Sequence, residues 1–160
     1  MIAFPVLDPA CGGRMFYFNK DHPAVLFCDN RKFSGDLWRG IRPFLVQPDM
    51  LCDVTSLPFP DESFWHVVFD PPHLTHAGES SWIGKKYGKL PKNWPMFIKA
   101  GFDECWRVLK TNGTLVFKWN TERITVSEII TAIGREPLYG QKVVKKGNRT
   151  HWLCFVKIGR

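Results

Sequence analysis

Four residues at the end of an apolar stretch carry the strongest chemical signal in this chain. The stretch His66–Phe69 runs directly into Asp70-Pro71-Pro72-His73. A nucleobase amine is a poor nucleophile because its lone pair is delocalised into the ring. If the Asp70 carboxylate and the Pro71 carbonyl each accept one N–H, the nitrogen can pyramidalise and offer that lone pair to a methyl donor. Each proline fixes φ and removes a competing donor, and a flat residue at position 73 can stack on an extruded base. A strand followed by a rigid turn is the other explanation of these four residues.

The elements that must position this motif are short apolar strands, and four of them end on an aspartate. In open α/β sheets, ligands bind outside the carboxyl ends of the strands, so four acids at one edge favour a binding site. Each acid taken singly could also be a helix or turn cap. The four predicted strands are Ala3–Leu7 before Asp8, Ala24–Cys28 before Asp29, Asp49–Cys52 before Asp53, and Trp65–Phe69 before Asp70.

The segments between these strands predict helices and loops. Arg14–Asn19 follows a turn and is expected to form a short helix, and a helical stretch is possible near Gly35–Arg39. Residues 73–94 form a long polar loop, a type that in compact domains is usually functional. Pro95–Lys110 has the periodicity of an amphipathic helix, which Asn112-Gly113 is expected to end.

The C-terminal third predicts a strand, a helix and a hairpin. Thr114–Trp119 is a fifth strand, Val126–Gly134 is a helix, and Gly147-Asn148 is a hairpin turn. Strands that alternate with helices predict a three-layer α/β domain. A hairpin at the end of the chain requires one strand to run antiparallel.

Composition limits the class of protein and its partners. The 160 residues are enough for one domain, and we expect residues 1–160 to form it. No apolar run approaches the roughly 18 residues of a membrane span. The N-terminus does not resemble a secretion signal. Five widely spaced cysteines indicate free thiols in a cytoplasmic protein. The net charge of +7 suits an anionic partner such as a nucleic acid, although charge clusters are often only a solvated surface.

The chain resembles the class I S-adenosylmethionine-dependent methyltransferases, and within them a group of short phage- and prophage-encoded proteins. The resemblance covers nearly the whole chain and implies a Rossmann-like, mostly parallel seven-stranded sheet whose final strand is antiparallel. It is carried by residues 7–16, Asp70-Pro71-Pro72-His73-Leu74, His76-Ala77-Gly78 with Lys86-Tyr87-Gly88, and residues 117–120.

The resemblance implies an S-adenosylmethionine site. Residues 8–16 resemble the glycine-rich first loop of amino-methyltransferases, with Arg14 in place of the second glycine; its guanidinium could narrow the pocket or pair with the cofactor carboxylate. Asp29 matches the acid that accepts the ribose hydroxyls, and Asp53 the acid that contacts the adenine amine. The cofactor-binding residues expected from the resemblance are Asp8, Pro9, Ala10, Gly12, Arg14, Phe16, Asp29, Asp53, Val54 and Asp70.

The resemblance also implies the catalytic residues Asp70, Pro71, Pro72 and His73. His73 departs from the usual Tyr, Phe or Trp, and Trp82 and Tyr87 could supply the stacking surface instead. The expected substrate-binding residues are His73, Trp82, Lys85, Lys86 and Tyr87. His73 and His76 lack nearby acid or thiol ligands, so no metal site is expected.

The sequence therefore predicts a methyltransferase that acts on an exocyclic nucleobase amine, with adenine N6 in DNA favoured. The amino-methyltransferases of restriction systems have a substantial target-recognition region, whereas the longest candidate here is the 73–94 loop. Specific recognition of a DNA duplex would therefore need a separate specificity partner or a homodimer. The alternatives are an RNA or small-molecule methyltransferase and a catalytically silent nucleic-acid-binding protein of the same fold.

Overall fold

The computed structural model describes residues 4–35, 43–76, 81–141 and 149–159. Three predicted features lie wholly or largely outside these residues. They are the possible helix near Gly35–Arg39, the Gly147-Asn148 turn, and Ala77-Gly78 of the His76-Ala77-Gly78 segment. The strands are β1 Val6–Asp8, β2 Val25–Asp29, β3 Phe33–Gly35, β4 Phe44–Val46, β5 Met50–Leu51, β6 Phe64–Phe69, β7 Leu109–Asn120, β8 Tyr139–Gly140 and β9 Thr150–Val156; the helices are α1 Trp82–Tyr87, α2 Trp94–Val108 and α3 Val126–Ile133.

Seven of these strands form one sheet in the order β5-β2-β1-β6-β7-β9-β8. The pairs from β5 to β7 are parallel, and β9 runs antiparallel to both β7 and β8. The remaining strands, β3 and β4, form a separate antiparallel hairpin. The predicted mostly parallel seven-stranded sheet with an antiparallel C-terminal strand is therefore confirmed.

Alternation along the strands divides the core between the two faces of the sheet. Leu115 and Phe117 of β7 pack in the large core cluster with Ile98 and Phe102 of α2 and with residues of α3. The opposite face packs against the segment after β1, where Tyr17 contacts a smaller cluster. The two long helices thus lie on one face.

One close approach sets the position of the motif at the end of β6. A Cβ atom added at Gly101 of α2 would lie 2.9 Å from Cζ of Phe69. Phe69 is fully buried and immediately precedes Asp70. Glycine at position 101 therefore lets α2 pack against the strand end that carries the motif.

Three expectations about local structure were wrong. The segment 14–19 contains turns and no helix, since the ring of Tyr17 packs against Phe27 in an edge contact instead of lying on a helix. Helix α2 ends at Val108, four residues before Asn112, because the chain enters β7 at Leu109. The 73–94 segment is not all loop, since the hydroxyl of Ser81 caps the short helix α1.

No helix in the described ranges is long and apolar enough to cross a lipid bilayer. All five cysteines are free and buried, as the sequence predicted.

Candidate active site

A cavity of about 580 Å³ opens at the carboxyl ends of β1, β2 and β6. This volume is within the roughly 300–1,000 Å³ typical of ligand sites. It brings together most of the residues that the sequence nominated for the cofactor and for catalysis. The nominated residues that line it are Pro9, Ala10, Gly12, Phe16, Asp29, Val54, Asp70, Pro71, Pro72, His73, Lys86 and Tyr87.

The turn after β1 is held to the end of β2 by a hydrogen bond. Gly12 N–H donates to Oδ2 of Asp29 at 2.9 Å, and Arg31 N–H donates to Oδ1 at 3.2 Å. Gly12 has φ +49°, a conformation that favours glycine, and a Cβ atom there would meet nothing within 4 Å. Burial raises the pKa of Asp29, although these hydrogen bonds oppose the shift. The turn after β1 thus presents its backbone to the cavity, and the end of β2 presents the Asp29 carboxylate.

Asp8 lies beneath this turn and does not line the cavity. Its carboxylate is fully buried and accepts from Ala10 N–H at 3.2 Å and from the Tyr17 hydroxyl at 3.0 Å. Burial raises the pKa of Asp8 to about 7, with smaller contributions from Asp70 and Asp29. Asp8 therefore acts on the site by holding the turn and Tyr17 in position.

Arg14 points away from the cavity. Its guanidinium donates to the carbonyls of Lys20 and Gln47, forms ion pairs with Asp21 at 3.1 Å and Asp49 at 3.0 Å, and lies 4.0 Å above the Phe27 ring centroid. Its φ is +53°, where a side chain is strained. These contacts offset that strain, at a position where the resemblance implies a glycine, and hold the guanidinium outside the cavity lining.

Asp53, the acid that follows β5, and its neighbour Val54 have different surroundings. Asp53 is exposed and outside the cavity lining; its Oδ1 accepts from the N–H and the hydroxyl of Thr55 at 2.8 and 2.7 Å. Val54 is buried and lines the cavity. The structure therefore gives Asp53 the geometry of a turn cap and leaves Val54 as an apolar wall.

The motif residue Asp70 is paired with a lysine that the sequence analysis did not nominate. Nζ of Lys118 lies 2.6 Å from Oδ2 of Asp70. Burial raises the pKa of Asp70, and the positive charge of Lys118 opposes that shift. The sequence signal was a charged residue near the end of an otherwise buried strand that follows the motif strand.

His73 lies between the motif and the segment that follows it. Its ring centroid is 5.7 Å from that of Tyr87 and 6.4 Å from that of Trp119. Burial and the charge of Lys118 lower the pKa of His73, so its imidazole is neutral at pH 7. A neutral ring with an aromatic neighbour is suited to stacking on an uncharged base.

Helix α1 forms the wall opposite the glycine turn. Lys86 and Tyr87 line the cavity, whereas Trp82 and Lys85 do not. Trp82 is 48% exposed and Tyr87 43% exposed, so both rings are accessible for stacking. The Arg31 guanidinium, also missed by the sequence analysis, donates to main-chain carbonyls in the last turn of α1. No distinctive spacing in the sequence marked Arg31.

Within the described residues there is no group of three or more His, Cys, Asp or Glu side chains that could hold a metal ion.

Two solved structures are similar to this chain in fold. The PH0226 protein from Pyrococcus horikoshii OT3 has a TM-score of 0.56 at 15% identity, covering 95% of this chain and 81% of that one. A chain from the complex between the Haloferax volcanii Trm112 methyltransferase activator and a protein assigned as a methyltransferase has a TM-score of 0.52 at 14% identity, covering 98% and 84%. No protein-family model and no curated protein matches the sequence. The similarity and the observed topology together show an α/β Rossmann-like fold.

Proposed function

We propose that this protein is an S-adenosylmethionine-dependent methyltransferase that acts on an exocyclic amino group of a nucleobase, with adenine N6 in DNA favoured. One observation carries the proposal. A single cavity joins the glycine turn and Asp29 to Asp70-Pro71-Pro72-His73. A nucleoside-containing cofactor and an acceptor amine can therefore be held side by side. The neighbour assigned as a methyltransferase supports methyl transfer in general, and the acceptor is proposed from the cavity residues.

The residues around the cavity fit this cofactor. Asp29 offers a carboxylate that can accept hydrogen bonds from ribose hydroxyls, the Gly12 turn allows a close backbone approach, and Cys52 and Val54 provide an apolar wall for an adenine ring. When bound, the cofactor supplies an electrophilic methyl group.

The motif residues would bind and orient the acceptor. Oδ2 of Asp70 is paired with Lys118, and no other described residue donates to this carboxylate. Oδ1 and the Pro71 carbonyl can each accept one N–H of an amine. Neutral His73, with Tyr87 beside it, would stack on the base. Because the acceptor nitrogen is neutral before transfer, its attack requires placement and hydrogen bonding from the protein. The proton that the methylated nitrogen then loses can pass to Oδ1 of Asp70 or to solvent.

The acceptor would be presented as part of a nucleic acid. Lys86 and Lys89 line the cavity, and Lys85 is exposed on the same segment. Lysine side chains at the mouth of a base-sized cavity can neutralise phosphates while aromatic rings stack on the extruded base. We propose that sequence selectivity comes from a separate partner chain or a second copy. The neighbour solved in complex with the Trm112 activator shows that a protein of similar fold can bind a second chain.

The test is transfer of a radiolabelled methyl group from S-adenosylmethionine to DNA, RNA and small amines, followed by mass analysis of the product. We expect N6-methyladenine in DNA, and loss of transfer with retained cofactor affinity in Asp70→Asn. Lys99→Met, on the exposed surface of α2, is the control and should match the wild type. Methylation of RNA or a small molecule would reassign the substrate. Absence of cofactor binding in calorimetry would leave the silent nucleic-acid-binding protein as the explanation.

A further inference from the structure

Lys118 and Asp70 lie side by side because of the register of two parallel strands. Phe69, the last residue of β6, is paired with Phe117 of β7, so Asp70 and Lys118 are the residues that follow the final pair of this ladder. The two side chains meet at 2.6 Å, and each is 23% exposed. The contact is therefore fixed by the sheet and is unlike a surface ion pair between mobile side chains.

Two aromatic rings hold the lysine in place. Lys118 is paired with Trp152 across the antiparallel β7–β9 ladder, and its Nζ lies 5.7 Å from the Trp152 ring centroid. The Phe16 ring centroid is 5.1 Å from Nζ, and Phe16 and Trp152 contact one another edge to face. Ammonium groups over aromatic faces are stabilised by the ring quadrupole. The lysine is thus constrained on its far side as well as by Asp70.

We propose that Lys118 is a positioning residue, which binds one carboxylate oxygen of Asp70 and directs the other to an uncharged acceptor amine. The role rests on the proposed methyl transfer. Since Lys118 holds Oδ2, Oδ1 is the oxygen to which no described residue donates, and the plane of the carboxylate is set before the acceptor arrives. A carboxylate oxygen that is already oriented to accept a hydrogen bond does not have to reorient when the reaction takes place.

The pair also defines the charge of the acceptor that the site prefers. An unpaired Asp70 would attract cationic alkylammonium groups. With Lys118 beside it, the pair has no net charge, and the nearby ammonium repels a second cation. A delocalised nucleobase amine is neutral, so it suffers no such repulsion. The geometry therefore favours a nucleobase over a protein lysine side chain or an aliphatic polyamine.

The same contact should keep Asp70 ionised. Burial raises the pKa of this carboxyl, and the Lys118 charge and hydrogen bond lower it. The other titratable groups that interact with the pair are Asp8, Tyr17, His73 and, through its effect on His73, Glu122. Of the described residues, only Lys118 donates a hydrogen bond to Asp70. Loss of the lysine should therefore raise the pKa of Asp70 more than the loss of any other side chain.

The test compares Lys118→Met, which keeps the length and removes the charge, with Lys118→Arg, which keeps the charge. The first readout needs no activity: the pKa of Asp70 from ¹³C NMR of its carboxyl, assigned with Asp70→Asn. We expect a rise of at least about one unit in Lys118→Met and near-recovery in Lys118→Arg. Lys99→Met is the matched control, because Lys99 pairs with Asp103 on the surface of α2.

The second readout is transfer. In Lys118→Met we expect cofactor affinity within about twofold of wild type, kcat reduced at least tenfold, and the acidic limb of the pH profile moved to higher pH. An unchanged Asp70 pKa, or a wild-type kcat and pH profile, would overturn the positioning role. If Lys118→Met fails to fold, the Lys118 Nζ resonance of the wild type must change in chemical shift as Asp70 titrates, and a resonance that does not respond would overturn the proposal. Wild-type protein that binds the cofactor but methylates no acceptor would refute the proposed function, while NMR would still decide the pairing.

Discussion

The guanidinium of Arg31 donates to the main-chain carbonyl of Lys85 at 2.6 Å, joining the segment after β2 to helix α1. A second N–H of the same group donates to the Lys86 carbonyl at 3.0 Å. These carbonyls belong to the last turn of α1, where the C=O groups have no N–H partner within the helix. One arginine, two residues after Asp29, therefore ties the proposed acceptor side of the cavity to the proposed cofactor side.

The Arg31 contact predicts how helix α1 is held. Replacement of Arg31 by Met removes both hydrogen bonds, each of which contributes about 1 kcal/mol. We expect amide hydrogen exchange across residues 82–88 to accelerate at least tenfold, with β6 and β7 unchanged. Arg135→Met is the control, because Arg135 packs over Trp106 outside the cavity. Unchanged exchange in α1 would show that other contacts hold the helix.

Asp29 and Asp53 provide a paired test of the cofactor site. Asp29 lines the cavity, whereas the Asp53 carboxylate caps Thr55 outside it. Hydrogen bonds to charged groups contribute about 1.5–3 kcal/mol, so Asp29→Ala should weaken S-adenosylmethionine binding by about ten- to a hundredfold. Asp53→Ala should change it by less than about threefold. Both affinities can be measured by isothermal titration calorimetry.

A further variant separates direct binding from support of the turn. Asp29→Asn retains one oxygen that can accept from Gly12 N–H, so it should preserve the turn while removing one acceptor oxygen. An intermediate affinity is expected. Equal losses in Asp29→Ala and Asp53→Ala would contradict the geometry and restore Asp53 to the contact with the adenine amine that the sequence suggested.

The buried Asp8 predicts an unusual pH dependence of stability. The pKa of Asp8 is raised to about 7 in the folded protein, from 3.8 in its ordinary state. Between these values the folded protein binds a proton that the unfolded chain has released, so Asp8 makes stability fall as pH rises through this window. One pKa unit corresponds to about 1.4 kcal/mol, and the relative change is on the order of 4 kcal/mol.

Asp8→Asn isolates this contribution from that of other titrating groups. Its carboxamide can still accept from Ala10 N–H and can donate to the Tyr17 hydroxyl. The free energy of unfolding of the variant minus that of the wild type, from urea titrations at several pH values, should increase from pH 4 to pH 7 and then level off. A difference that does not change with pH would mean that Asp8 is ionised throughout.

The sequence predicted the sheet better than the segments around it. The strands were recognisable because buried apolar runs ended at Asp8, Asp29 and Asp70, and an antiparallel terminal strand followed from the chain order. The absence of a helix after β1 could not be predicted, since Arg14 and Tyr17 take their positions from contacts with residues distant in sequence. Contacts between side chains that are far apart in the sequence leave no periodic pattern in the local sequence, so they cannot be predicted from it.

The same reason explains which site residues were missed. Lys118 lies in the 117–120 segment that carried the resemblance but had no role assigned to it, because its partner Asp70 is 48 residues earlier. Asp53 shares the pattern of strand-terminal acids with Asp29, yet its carboxylate folds back on Thr55. Whether an acid at a strand end faces the cavity or caps its own turn depends on the backbone that follows it.

The lysines around α1 predict a salt-dependent nucleic-acid surface. Each phosphate that a lysine neutralises contributes about 0.9 to the slope of log K against log salt for duplex DNA. Replacement of Lys85, Lys86 and Lys89 by Ala should weaken binding and lower that slope by about 0.9 for each phosphate that is no longer neutralised, with cofactor affinity unchanged. Fluorescence anisotropy with labelled DNA over a range of salt concentrations measures both effects.

A charge-matched variant separates a local surface from the net charge of the protein. Replacement of Lys20, Lys99 and Lys110 by Ala also removes three positive charges, but none of these residues lines the cavity. If the surface lies around α1, this control keeps the wild-type slope while the α1 variant does not. If both variants lower the slope equally, DNA responds to the overall charge of +7 and the segment has no specific role. If only the control lowers it, the nucleic-acid surface lies on another face, and an extruded base could not reach His73 and Tyr87 from there.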